Sequence, residues 1–170
     1  MMLRRNLLLG LAGLALAACA RGNGRLGMDG IPAARIFRIT PEDVNAIPFR
    51  MQDSINTLRR VAGAQPVQVD AQLTAAAATH SRDMAAQNRP WHFGSDGSSP
   101  LDRLSRVGYR GRLIGEAISE SFESDAATLA AWMQNSDTKG VIMDPAASRM
   151  GISWFQEPGG KIWWTLVMGA

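Results

Sequence analysis

Cysteine occurs once in the 170 residues, at Cys19, so no intrachain disulfide can hold the fold. The stability has to come from a buried core. Histidine occurs twice, at His80 and His92, which confines imidazole chemistry to two places. Long apolar runs are lacking too. The best, residues 7–18, offers twelve apolar or small residues, against about 20 for a membrane-crossing helix. Charge of one sign is nowhere concentrated, and no basic run exceeds Arg59-Arg60. The formal charge of +3, from 18 basic and 15 acidic residues, is a small surplus despite a pI of 9.7. Without a basic stripe to follow a phosphate backbone, nucleic acid is excluded as a partner. Internal repeats are absent as well, which excludes a solenoid.

What is present begins with a targeting pattern. Arg4 and Arg5 form a basic start, residues 7–18 an apolar stretch, and Leu16-Ala17-Ala18-Cys19 a small-residue approach to the cysteine. This reads as a lipoprotein signal over residues 1–18, with cleavage before Cys19 and diacylglycerol on its sulfur. The expected partner is therefore a membrane, and the expected location the bacterial envelope, lipid-anchored at the outer membrane and facing the periplasm. The Arg4-Arg5 pair also resembles a twin-arginine export signal. Loss of those two arginines leaves 16 basic against 15 acidic residues. Residues 19–45, Gly- and Arg-rich for most of their length, read as lipidated cysteine and tether, and residues 46–170 as the folded domain.

Within the domain, periodicity gives the elements. Thr40-Pro41-Glu42 opens a short helix with a cap and an N1 proline, and a first long helix over 49–61 carries Met51, Ile55, Leu58 and Ala62 at helical spacing. Asp70 caps a second helix whose apolar stripe is Leu73, Ala77, His80 and Met84. That stripe makes His80 a hydrogen-bonded core residue. Ser99-Pro100 starts a third helix that closes at Gly108. Residues 113–121 read as a strand with Ile114, Glu116, Ile118 and Glu120 on one face and small residues on the other. Ser124 caps a fourth helix to Gln134, and the segment to Pro145 reads as irregular. Residues 150–155 and 162–168 form an antiparallel hairpin around Glu157-Pro158-Gly159-Gly160. The second hairpin strand is apolar on both faces except for Thr165, which calls for helices above and below the sheet. The expected fold is a three-layer α-β-α sandwich of α+β class with a small, mainly antiparallel sheet.

Six segments in order resemble one family. INTLRRVAG is similar to its first-helix LNxxR pattern, and LTAAAATHSRDMAAQ to its AxxHAxxMA helix. WHFGSDGSSPLDRLSRVGY resembles FSHxxxDGxxPxxRxxxxGY, GEAIS resembles GENIA, WMQNSDTKGVIM resembles WMNSPGHRANIL, and WWTLVMG resembles YWTQVFG. By these blocks the chain is identified as a member of the CAP superfamily, also called SCP-like, in its bacterial branch. The resemblance implies the sandwich fold and a cavity lined by a histidine and a glutamate, here His92 and Glu116. In animal and plant members a second glutamate and a second histidine complete a zinc-capable set; those places fall on Asn135 and Trp163. The histidine of the bacterial branch falls on Thr138. Two ligands are too few for zinc, which takes about four, and Glu120 on the same strand face is a strand-end carboxylate. No metal and no cofactor are therefore expected. Ala117 and Leu166, where the family has asparagine and glutamine, remove further polar groups.

The reading that follows is a non-catalytic envelope protein whose His/Glu cavity binds a small ligand, a lipid or a cell-wall component. Two other readings stay open. One is a hydrolase in which His92, oriented by Glu116, activates water or one of Ser95, Ser98 and Ser99. The other is a partner-binding module, for which Trp91 and Trp154 are the exposed candidates, with Trp132, Trp163 and Trp164 in the core.

Overall fold

A computed structural model of the chain describes residues 36–170. The signal pattern, Arg4, Arg5 and Cys19 lie outside the described residues. The described part forms a four-stranded sheet with helices on both faces, as periodicity required. In chain order the elements are α1 (Pro41–Val61), β1 (Gln68–Val69), α2 (Ala71–Gln87), α3 (Pro100–Arg106), β2 (Leu113–Ser121), α4 (Asp125–Gln134), α5 (Ser136–Met143), β3 (Arg149–Gln156) and β4 (Ile162–Gly169). The strand order is β1-β3-β4-β2; the two-residue β1 runs parallel to β3, and every other pairing is antiparallel. No helix among the described residues is long and apolar enough to cross a membrane.

β4 is the centre of the molecule, with all eight residues buried. Its even-numbered side chains, Trp164, Leu166 and Met168, join Ala117 of β2 and Ile152 of β3 in a core closed by α1, α4 and α5. Val167 lies on the other face against Leu73, Ala76 and Ala77 of α2 and Leu104 of α3. Gly151 lets α2 lie down on β3, because a Cβ there would overlap the backbone of Leu73 and Thr74. That close approach brings the buried stripe of α2 over the sheet.

Three expectations are corrected. The short helix at Thr40 and the helix over 49–61 are one: α1 runs unbroken through Pro48, and the expected tether boundary at residue 45 falls inside it. Thr40 and Asp43 form a capping box at its start, and Pro48 leaves the carbonyl of Val44 without its helical donor. The buried stripe is also rotated. Ile47, Met51, Ile55 and Arg59 are buried at strict four-residue spacing, while Leu58 is partly exposed. Arg59 is tolerated inside because its guanidinium donates to the carbonyls of Gln65, Ile142, Asp144 and Ala147 at 2.8–2.9 Å. Second, residues 136–143 are helical and not irregular: the side chain of Asn135 accepts from the N–H groups of Asp137 and Thr138 and so starts α5. Third, Ile114 does not share the face of Glu116. A bulge between Leu113 and Gly115 turns Ile114 into the α1/α4/α5 core.

Candidate functional site

Glu116 lies on the α2/α3 face of β2 and is nearly fully buried, with 8% of its surface exposed. Three side chains converge on it. The guanidinium of Arg103, itself buried, donates from Nη2 to both carboxylate oxygens at 2.8 and 3.0 Å. His92 Nδ1 donates to Oε1 at 2.9 Å. His80 Nε2 lies 3.5 Å from the same oxygen and donates to the carbonyl of Trp91 at 2.9 Å. Because that carbonyl can only accept, the proton of His80 is placed on Nε2, and its buried Nδ1 is left without a partner among the described residues. Arg103 uses Nη1 to hold the carbonyls of His92 and Ser98 at 3.1 and 3.2 Å. Thus one arginine ties the 92–98 loop to the carboxylate of β2.

The electrostatics follow from this packing. Burial works to raise the carboxyl pKa of Glu116, but the His92 hydrogen bond, the neighbouring His80 and the charge and hydrogen bonds of Arg103 together outweigh it and hold it below its ordinary value. Burial, reinforced by Arg103 and opposed by Glu116, pushes His80 below the ordinary imidazole value, so it is neutral at pH 7. Glu116 fits a metal poorly, because both its oxygens already face a guanidinium cation; His92 Nδ1 is spent on the carboxylate and His80 Nε2 on a carbonyl, which leaves His92 Nε2 and the buried His80 Nδ1, two nitrogens against the four or so ligands that zinc takes. Among the described residues no three His, Cys, Asp or Glu side chains form a metal-holding group.

His92 and Glu116, paired from the sequence, are thus in direct contact, and His92 keeps half its side-chain surface exposed. The other candidates are engaged elsewhere. Asn135 caps α5, Thr138 Oγ1 donates to the carbonyl of Trp132 at 2.6 Å, and Trp163 Nε1 donates to Glu157 at 2.7 Å. None of the three hydrogen-bonds to His92 or Glu116. Ser99 Oγ is occupied in the capping box of α3 with Asp102. His80 is the buried, hydrogen-bonded residue its stripe required, but it also borders the carboxylate, which helical spacing could not reveal. Arg103 was missed. Its trace in the sequence was its place on the fixed arginine of the PxxRxxxxGY pattern, a stretch read there for its cap and proline.

Beside the cluster, between α2 and the 95–98 loop, lies a polar cleft of about 490 Å³. Thr79, Arg82 and Asp83 form one wall and Ser95, Asp96 and Arg106 the other, with Arg103 below. The loop wall is rigidly hydrogen-bonded: Asp83 accepts from Ser95 N–H at 2.7 Å, and Asp96 from Ser98 N–H at 2.9 Å and Arg106 at 2.6 Å. A second, largely apolar groove of about 500 Å³ lies between α1 and α4, along Leu58, Leu129, Ala130 and Met133. On the approach to His92, Arg89 stacks 3.9 Å above the Trp91 ring, and Phe93, 5.6 Å from that ring, is exposed.

Two predictions come from the cluster. Glu116→Gln leaves Arg103 buried without its counter-charge and lowers unfolding free energy by about 3–5 kcal/mol. Arg103→Met costs a similar amount, and the double variant Arg103→Met/Glu116→Leu costs clearly less than the sum in denaturant titrations. For pH, both shifts are depressions, so the folded state binds fewer protons than the unfolded one. Stability is then lost first as pH falls below the ordinary imidazole value of 6.5, through His80, and further below the ordinary carboxyl value of 4.5, through Glu116. Thermal melts between pH 8 and 4 show this two-stage decline, and His80→Gln removes the first stage.

Comparison with known proteins places this geometry. The CAP, or cysteine-rich secretory protein, family profile matches residues 52–168. The uncharacterized protein YkwD of Bacillus subtilis is 26% identical over 123 residues, covering 72% of this chain and 47% of the relative, so the chain spans about half the length of that relative. Among solved structures, an extracellular protein containing a SCP domain from Bacillus anthracis superposes with a TM-score of 0.67 at 20% identity, covering 78% of this chain and 44% of that one. An outer surface protein from Borrelia burgdorferi superposes with a TM-score of 0.64 at 13% identity, over 75% of this chain and 94% of the other. Those two likenesses show the sandwich fold, and the match along residues 52–168 shows the family: the chain belongs to the CAP family, in a form without cysteines in its folded domain.

Proposed function

We propose that this chain is a non-catalytic binding module of the bacterial envelope, held by lipid on Cys19, that takes a polar cell-wall component in the cleft beside the Glu116 cluster. The observation that carries it is the buried Arg103–Glu116 pair, in which Nη2 meets both carboxylate oxygens. A carboxylate already neutralised by a buried guanidinium gives little help to His92 as a base, and it has no free oxygen for a metal. Its work is to hold the loop that forms one wall of the cleft. That wall and the facing surface of α2 carry charges and hydroxyls, which suit a glycan or peptide better than a lipid tail. The outer-surface and extracellular proteins among the structural relatives support a location outside the cytoplasm.

The hydrolase reading, with His92 as base, has less support. None of Ser95, Ser98 and Ser99 is hydrogen-bonded to the imidazole, and Ser99 is committed to a helix cap. A lipid ligand is favoured by one observation, the apolar groove between α1 and α4, which is separate from the His/Glu cluster. Partner binding is favoured by the Arg89-Trp91-Phe93 stack, since Trp154 is packed on Trp164.

Two experiments test the proposal. Cys19→Ser moves the protein from the membrane fraction to the soluble periplasmic fraction; retention in membranes would place the anchor elsewhere. Purified cell-wall sacculi sediment the full-length protein, and Arg106→Glu, on the cleft wall, reduces the bound fraction at least about tenfold, whereas Leu58→Glu in the apolar groove does not. The reverse pattern, with lipid vesicles retaining the protein through the Leu58 groove, would favour the lipid reading.

A further inference from the structure

β3 has an uncovered stretch of edge. β1 pairs only with Arg149 and Met150, and β4 occupies the opposite side of β3 along its whole length. The direction of the outer backbone groups is set twice over. The carbonyl of Met150 accepts from the N–H of Asp70 at 2.8 Å, so Met150 faces outward. The register from Arg149 to Gln156 is unbroken, so Ile152 and Trp154 face outward as well. From the other side, Arg112 and Ala170 exchange two backbone hydrogen bonds at 2.9 and 3.0 Å, which turns even-numbered β4 residues to β2 and odd-numbered ones to β3. Gly151, Ser153 and Phe155 are then the β3 residues bonded to β4. Among the described residues no group pairs with the outward N–H and C=O of Ile152 and Trp154. Further along, the edge is closed by a side chain: Gln156 accepts from Ile39 N–H at 3.0 Å and donates to the carbonyl of Phe37 at 2.7 Å.

This edge forms the floor of a groove of about 370 Å³. Val44 and Pro48 of α1 make one wall, Thr74 and Arg82 of α2 the other. Among the described residues Arg82 is the sole charged side chain lining the groove. It has no carboxylate within 4 Å among the described residues, and its one hydrogen bond is a long one to Ala78 at 3.3 Å. A free strand edge, one apolar wall and a guanidinium without a carboxylate on the other together describe one kind of occupant.

We propose that this groove binds a short extended peptide carrying a carboxylate, which pairs as an added strand with Ile152 and Trp154 and places its acid on Arg82. Strand pairing satisfies the outward backbone groups, which lie about 7 Å apart, so roughly three residues suffice. The carboxylate supplies the charge that Arg82 lacks. The chain's own residues 20–35 have the wrong sign for the place, with three arginines against one aspartate. The site is distinct from the polar cleft, although Arg82 borders both.

The test is a titration of the ¹⁵N-labelled full-length chain with acetyl-Val-Thr-Val-Asp, followed by amide chemical shifts. Saturable shifts at residues 150–156 and along the groove face of α2 are expected. Arg82→Gln should raise the Kd about tenfold, amidation of both carboxyls should do the same, and methylation of the peptide's backbone nitrogens should abolish binding. Val44→Glu, at an exposed helix position outside the polar cleft, sets a like charge in the groove and should abolish binding while leaving sacculus sedimentation unchanged. Absence of saturable shifts at millimolar peptide, shifts confined to residues 95–106, or equal affinity in both variants would overturn the proposal.

Discussion

The Arg103–Glu116 pair is the constraint on which the candidate site depends. A carboxylate on a buried strand face is costly unless its charge is matched and its oxygens are occupied. Arg103 does both from α3, and with its second nitrogen it fastens the loop that precedes the same helix. β2, α3 and the 92–98 loop are thereby one unit, to which α2 is added through His80 and the carbonyl of Trp91. Removal of either charge would strand the other in a low-dielectric interior.

The same pair commits the carboxylate of Glu116. The guanidinium of Arg103 supplies its counter-charge and hydrogen bonds, and itself offers no coordination position. His92 remains half-exposed at the rim, hydrogen-bonded inward to a carboxylate whose charge is already compensated. The neighbouring cleft owes its hydrogen-bonded wall to the same arginine, which holds the carbonyls of His92 and Ser98.

The two sheet edges are managed differently. On β2 the outer carbonyl of Ile118 is met by the Trp132 indole N–H at 3.2 Å, and α5 lies close over Gly115. On β3 the cover is partial: β1 protects two residues, Gln156 blocks the far end with its own side chain, and two outward residues are left between walls that carry a single positive charge. Unpaired edges are usually blunted, and this one is narrowed by helices on both sides. The narrowing keeps out a second sheet while leaving room for one strand.

Local rules made much of this legible. Caps at Asp70, Ser99 and Ser124, alternation in β2, and the doubly apolar β4 sufficed for the layers, because each depends on neighbours within a turn or a pleat. Even the His92–Glu116 contact was reachable, through the order and gaps of motifs shared with a family. What escaped the sequence required distant groups. Arg59 looks like a surface residue until four carbonyls from other segments close around it, and a proline inside α1 looks like a break until the core holds both halves. The bulge that turns Ile114 away is set by pairing with β4, not by alternation. Arg103 stands on the fixed arginine of a family block, but that it pairs with Glu116 shows only where β2, α3 and the loop converge. Sequence by itself determined most of the elements and the layers, since hydrophobic period and capping act locally; tertiary structure alone decided which charges are buried together, since that depends on what the folded chain brings within hydrogen-bonding distance.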